Sequence, residues 1–456
     1  MNRFLALFCV YFGAAAAAEV TYSKEVSRLM QAKCQSCHRS GDIAPFPLMT
    51  YEETKSRAAA IRSAVSSQKM PPWKPSAGSL EFQNAFGLSE EERKLILEWL
   101  ANGAPEGDKA DLPAAPEETG EWQLGPPDLV LEMPKSFDVP AGTDTYRCFV
   151  LPYELARQSW LSAAQVLPGN RSVVHHALLF LDPDGVSEAW DGKDGKPGYD
   201  CFGDAGDGVE ELVGAWVPGA RTTRLPETIG VPLPTKGRIV MQVHYHDHGG
   251  HDRQSSQGEH GGHGAAAGHG APATDRTKAG FYFTKLPPKQ EMIYSGLQTD
   301  EIEIAPGEPE EVVQVEESFS PVFDLEMLVV GPHMHLVGKS IKVEKLAANS
   351  GAAETVIAID NWDFDYQGLY TLKKKLPLEA GSGLRLTCSY DNSADNPRNP
   401  NSPPVKVVYG EASTDEMCLA FVGIVLPEGF NVGASQRQIS QWLMRKTSGS
   451  KKGGSR

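Results

Sequence analysis

The chain has 456 residues, a formal net charge of −16 and 40% hydrophobic residues. That length is too great for one core and points to about three domains at common domain sizes. The acidic balance makes nucleic acid a poor partner and otherwise speaks mainly to solubility.

Residues 1–18 carry a single Arg at position 3, an apolar core over 4–12 and the run Ala16-Ala17-Ala18 before Glu19. This is the pattern of a cleavable secretory signal, so the mature chain is expected to begin near Glu19 in the periplasm or as a secreted protein. Cys9 lies inside the apolar core and would be lost on cleavage. Every later apolar run is broken by charges, Gly or Pro within about ten residues, too soon to span a bilayer.

Cys34-Gln35-Ser36-Cys37-His38 follows. Two thiols at this spacing can bond both vinyl groups of a haem while the adjacent imidazole takes the iron, the signature of covalent haem c attachment. Zinc would need a second ligand pair at finger-like spacing, and a thioredoxin-like pair would need a surrounding strand-helix-strand pattern; neither is present. Val26, Leu29 and Met30 predict a helix delivering Cys34, and a second helix is expected over residues 52–67. A third starts at Ser89, with Glu92 completing a capping box, and stops at Gly103. Residues 19–108 thus resemble a small all-α cytochrome c domain. Met70, in Lys69-Met70-Pro71-Pro72, is the expected sixth iron ligand, with Met49 as the alternative.

Residues 109–127 are rich in Pro, Gly, Ala and Glu and read as a linker. Beyond residue 128 the pattern changes to short apolar or alternating runs at 129–131, 173–181, 238–244, 325–330, 340–346, 384–389 and 405–409, separated by Pro, Gly and Asp. Such spacing predicts two all-β sandwich domains, 128–277 and 278–430, followed by a tail over 431–456. Cys148, Cys201, Cys388 and Cys418 suit disulfides in an oxidising compartment. Three pairings are possible; Cys388 with Cys418 is favoured because each borders a strand-like run, which leaves Cys148 with Cys201.

Five histidines fall in strand-like runs at three places: His175-His176, His244, and His333 with His335. Positions i and i+2 of a strand share a face, so His333 and His335 can point at one ion. His175 and His176 would point opposite ways unless a bulge, or one ring binding through its near nitrogen, brings them together. Imidazole alone suits several metals, whereas a thioether beside it selects copper.

Val174-His175-His176-Ala177, Gln242-Val243-His244-Tyr245, His333-Met334-His335-Leu336 and Asp415-Glu416-Met417-Cys418 occur in this order. In that order and context, residues 128–427 resemble the copper type II, ascorbate-dependent monooxygenases, among them peptidylglycine α-hydroxylating and dopamine β-monooxygenases. The resemblance implies two jelly-roll-like sandwiches and two copper ions. One, for electron transfer, would be held by His175, His176 and His244; the other, where dioxygen binds, by His333, His335 and Met417 as the catalytic set. It further implies C–H hydroxylation of a small-molecule substrate, fed by an electron donor such as an ascorbate-like reductant. A Cys388–Cys418 disulfide fits the family pattern too. The peptide-amidating members hold the substrate carboxylate with Arg, Asn and Tyr where this sequence has Gly331, Leu419 and Phe421, so a peptidylglycine substrate is not expected. Apolar residues around Met417 favour a neutral or aromatic one.

His246, His248, His251, His260, His263 and His269 stand in a Gly, Ala and Ser background at 246–272. Such a tract either captures copper or zinc for the nearby site or is a tolerated insertion; His246, on the same strand face as His244, is an alternative ligand. The expectation is an exported copper monooxygenase supplied with electrons through a fused haem. The alternative is a non-catalytic periplasmic electron-transfer or copper-binding protein.

Overall fold

The computed structural model describes residues 19–39, 44–115, 120–142, 144–201, 205–209, 211–219, 221–246, 273–318, 324–348 and 350–430. The signal-like segment 1–18, the insert beyond His246 as far as residue 272 and the tail 431–456 lie outside those residues. Two compact units divide the chain: 1–72 with 86–117, and 73–85 with 118–456.

The first unit is helical. A continuous helix runs through Tyr22–Val26, Ser27–Leu29 and Met30–Cys34. The helix expected over 52–67 is broken at Arg57 into Tyr51–Ser56 and Ala58–Ser66. Glu90–Ala101 starts at the Ser89–Glu92 capping box, and Gly103, at φ +82°, ends it in a conformation that glycine adopts without strain. Tyr22, Val26, Met30, Ile61, Val65, Ile96, Trp99 and Leu100 make its core. Each of the larger apolar side chains so buried stabilises by about 1.5–3 kcal/mol.

The second unit is mostly β-sheet, in sandwich layers. One eight-stranded sheet runs through both halves in the order Leu129–Glu132, Lys278–Phe283, Ser159–Leu167, Ile229–Leu233, Gln290–Thr299, Cys418–Val425, Leu325–His333, Tyr370–Leu378. A five-stranded sheet (Tyr199–Asp200, Thr145–Glu154, Lys236–Tyr245, Val174–Asp182, Glu211–Trp216) belongs to the first half, and a four-stranded sheet (Glu311–Ser318, Gly383–Tyr390, Gly338–Leu346, Ala353–Ile359) to the second. The halves join where Ile229–Gly230 pairs in parallel with Gln290–Glu291. A single apolar core extends from Leu161, Leu179 and Met241 to Met292, Val329 and Ile424.

Two features depart from the sequence boundaries. Lys278–Phe283, expected to open the second sandwich, pairs with Leu129–Glu132 and Ser159–Leu167 of the first half. Residues 73–85, expected within the haem domain, pack in the β unit. There Ser76 and Leu80 N–H donate to the Ala358 and Val356 carbonyls, Gln83 N–H donates to the Thr371 carbonyl, and Phe82 bridges Leu372. Ala353–Ile359 and Tyr370–Leu378 are end strands of their sheets, so this strap satisfies backbone groups that an open edge would leave exposed.

Candidate metal centre

The first histidine group grows from the middle of the five-stranded sheet. Val174 pairs with Tyr245 and His176 with His244, so His175 is an extra residue in the ladder. That bulge re-aims one side chain and brings neighbouring imidazoles to the same side. The His175 and His176 rings are 5.3 Å apart with their Nδ1 atoms at 3.2 Å, and His244 lies 5.0 and 4.9 Å from the two rings. All three are buried, and each offers a ligand atom within 4.8 Å of the others.

Two neighbours fix His244. Tyr146, its partner in the ladder, stacks on it at 4.1 Å and donates its hydroxyl to the Glu411 carbonyl. Asp144 has one carboxylate oxygen 3.3 Å from His244 Nε2 and also bonded to His246 Nδ1, while the other accepts from the Ser413 N–H. Burial alone would raise the Asp144 pKa, but the bonds from His244, His246 and Ser413 outweigh it and hold the carboxyl well below its ordinary range. A carboxylate on Nε2 leaves Nδ1 of His244 as the nitrogen for the His175–His176 side.

The second group sits at a strand end. His333 closes Leu325–His333, and the His335 ring is 5.0 Å from it. His333 pairs with Leu419. Beyond that ladder, the His335 and Met417 N–H groups donate to the same Glu416 carboxylate oxygen, which brings the backbone of Met417, buried at 7% exposure, beside that of His335. Met417 is restrained on both sides: its carbonyl accepts from the Tyr390 hydroxyl, and Cys418 is disulfide-bonded to Cys388. His333 Nδ1 bonds the Gln367 side-chain carbonyl and His335 Nδ1 the Asp415 backbone carbonyl at 3.2 Å. Glu416 is fully buried and accepts from the N–H groups of His335, Val337 and Met417; burial pushes its pKa up to about 8 against those bonds.

The two groups face each other. His176 and His333 rings are 6.3 Å apart, and Phe364 stacks on His175 at 4.4 Å while meeting His335 edge-on at 6.0 Å. Burial lowers the pKa of His333 to about 4 and those of His176 and His335 well below the usual value, with neighbouring imidazoles adding to the shift in all three. Near neutral pH these rings are therefore uncharged, the form that binds a metal. Three imidazoles in one group and two imidazoles with a thioether nearby in the other fit copper in both places.

In the helical unit, Cys34 ends the first helix and the next turn brings the Cys37 and His38 N–H groups onto the Cys34 carbonyl. The two cysteines are not joined in a disulfide, and both are partly exposed. His38 Nδ1 bonds the Phe46 carbonyl at 3.0 Å, which fixes the ring and leaves Nε2 for a metal. These features fit a covalently attached haem. Met70 is half-buried after Ala58–Ser66, its N–H on the Ala64 carbonyl, whereas Met49 is 42% exposed.

Asp144, Tyr146, Phe364 and Gln367 escaped the sequence reading. Each stands alone in a loop or strand with no spacing signal, and each meets its histidine across a long stretch of chain or a sheet register. His246 does not replace His244 in the buried group; it joins Asp144 and His244 in a second set whose ligand atoms also lie within 4.8 Å. Both disulfides form, Cys148–Cys201 and Cys388–Cys418. Among the described residues no helix is long and apolar enough to cross a membrane.

Comparison with known proteins bears on the second half. Residues 293–432 match the family model of the copper type II ascorbate-dependent monooxygenase, C-terminal domain. Tyramine beta-hydroxylase of Caenorhabditis briggsae is 23% identical over 184 residues, which is 38% of this chain and 29% of that protein. The chain thus matches less than a third of this relative's length. Among solved structures, the major capsid protein P2 of bacteriophage PM2 covers 65% of this chain and 96% of its own at 10% identity and a TM-score of 0.25. A structure of infectious bursal disease virus Gt strain covers 70% of this chain and 89% of its own at 11% identity and a TM-score of 0.17. Scores this low carry no argument about fold or function.

Proposed function

We propose that the β unit is a monooxygenase that hydroxylates a C–H bond of a small molecule with dioxygen, using one copper at His175, His176 and His244 and a second at His333, His335 and Met417. The facing of two histidine groups, one of them with Met417 tied to the same Glu416 carboxylate as His335, carries this reading. The family match over 293–432 and the hydroxylase relative support it. When bound, the coppers supply one-electron chemistry and oxygen activation. The chain's own residues keep the imidazoles neutral through burial, orient them through Asp144, Gln367 and the Asp415 carbonyl, and exclude water with Phe364.

The substrate is unlike a peptide carboxylate. A side chain at Gly331 would meet Leu369 Cδ2 at 2.4 Å, so the place for a carboxylate-gripping arginine is filled by an apolar group. The strap holds that group, since Asn84 donates its side-chain amide to the Leu369 carbonyl. An apolar neighbour at that place favours an uncharged or aromatic substrate over a carboxylate.

In the same reading, residues 1–18 export the chain, and Cys34, Cys37, His38 and Met70 would hold a haem that would supply one-electron chemistry, with a periplasmic donor or an ascorbate-like reductant as the electron source. Oxygen uptake with reductant, a panel of aromatic substrates and labelled dioxygen tests the whole. Label in the product and two coppers per chain are expected. Copper bound without any label in product would leave the non-catalytic copper-binding alternative. Replacing Cys34 and Cys37 tests the haem separately, because turnover with a physiological donor should fall while copper content stays.

A further inference from the structure

The buried trio shares His244 with a second, more open set made of Asp144, His244 and His246. Side-chain exposure falls along a line from His246 at 29%, through Asp144 at 17%, to His244 at 0%. The set is held in place from several sides. The His246 N–H donates to the Val173 carbonyl, and the Ser413 N–H holds the second oxygen of Asp144. His246 is also only 6.0 Å, ring to ring, from His175. The chain then runs from His246 straight into the histidine-rich stretch.

We infer that Asp144 and His246, with the Nε2 face of His244, form an entry site for Cu(II), from which the ion passes to the buried His175–His176–His244 site. A carboxylate with imidazoles suits Cu(II), and three imidazoles out of water hold it more firmly. The transfer is a ligand exchange with no change of oxidation state. Nδ1 of His175, His176 and His244 replace the Asp144 oxygen, His246 Nδ1 and His244 Nε2, and as the ion changes sides of the His244 ring the proton leaving its Nδ1 is balanced by one taken up at Nε2. Asp144, released, returns to His244 Nε2 and orients the ring that keeps the ion.

This inference rests on the first copper site proposed above, and the experiment separates the two. Full-length apo-protein is mixed with one equivalent of Cu(II), frozen at intervals and followed by electron paramagnetic resonance, with final copper content measured on the same samples. Wild type should show an early signal with mixed oxygen and nitrogen ligation that converts to a nitrogen-rich one. H246A, and independently H246Q, should lack the early signal and fill roughly tenfold more slowly, yet reach the same final occupancy. If both His246 variants fill the buried site at the wild-type rate, the entry site is overturned while the buried site stands. If wild type never develops the nitrogen-rich signal, the copper reading of the trio falls and this inference with it.

Discussion

The two halves of the β unit hold their histidines by different means. In the first half the imidazoles spring from strand interiors, a bulge supplies the convergence, and the supporting group on His244 is an ionised carboxylate. In the second they sit at a strand end and beyond it, and the groups on their Nδ1 atoms are neutral, the Gln367 amide and the Asp415 backbone carbonyl. A carboxylate raises ligand basicity and rigidity, which suits a centre that changes charge without changing partners. Neutral support beside a thioether leaves a softer and less constrained centre, which suits the place where an exogenous ligand must come and go.

The largest expected effect breaks this contrast outright. Met417→Leu should abolish sulfur scattering from the reduced protein, leave the first site's copper in place and cut turnover by more than the roughly 100-fold typical of losing a supporting partner. His244→Ala should do the converse, removing the first copper while the sulfur signal persists. Loss of both coppers in either variant would show that the halves are one centre and not two.

Next come the disulfides, one in each half. Cys148–Cys201 closes 53 residues and Cys388–Cys418 closes 30, so removing either should cost about 2–4 kcal/mol, the longer loop by about 0.5 kcal/mol more. The functional ranking should be reversed. Cys418 adjoins Met417, so the double Ala variant at 388 and 418 should weaken the second copper most, whereas that at 148 and 201 should lower the melting temperature with both coppers retained. Denaturant unfolding and metal analysis on the same samples check this.

The sequence announced a good part of this arrangement. His333 and His335 were expected to share a strand face, but the strand closes at His333 and His335 lies beyond it; the adjacent pair His175-His176 asked for a bulge or a near-nitrogen contact, and the ladder contains the bulge. The helix ending at Gly103 was readable because a capping box and a glycine stop are local signals. What is not local was invisible. Asp144 reaches Ser413 and Tyr146 reaches Glu411 across the whole unit, and Phe364 and Gln367 look like ordinary loop residues. Residues 73–85 carry Pro75, Gly78 and several small polar residues and look like an ordinary loop, and only pairing with Thr371 and Leu372 reveals a strap. The crossover between halves, a parallel contact of two residue pairs, leaves no periodicity to find.

A subtler change sharpens the contrast in support. Asp144→Asn keeps the shape but removes the charge, and should weaken copper binding at the first site by about 10–100-fold. Gln367→Leu removes only a neutral partner of His333 and should weaken the second site less. Competition with a chelator, read separately for the two coppers, gives both numbers. Equal losses would mean that carboxylate and amide do the same work here.

The smallest effect concerns a charged pair confined to the first half. The buried Arg147 guanidinium forks onto Asp194 at 2.7 and 2.8 Å, next to Cys148. That bond and the nearby positive charge hold the Asp194 carboxyl well below its ordinary range. With the folded pKa depressed, the unfolded chain binds the proton more readily. The pair's contribution is therefore complete above the ordinary carboxylate pKa of about 4 and is lost as pH falls through and below it. Because Asp194 is 44% exposed, solvent screening limits the gain to about 0.5 kcal/mol. Asp194→Asn should remove that increment at neutral pH and flatten the acid limb of the stability curve, measured on apo-protein so that metal release does not contribute. An unchanged acid limb would place the acid sensitivity of the first half elsewhere than this fork.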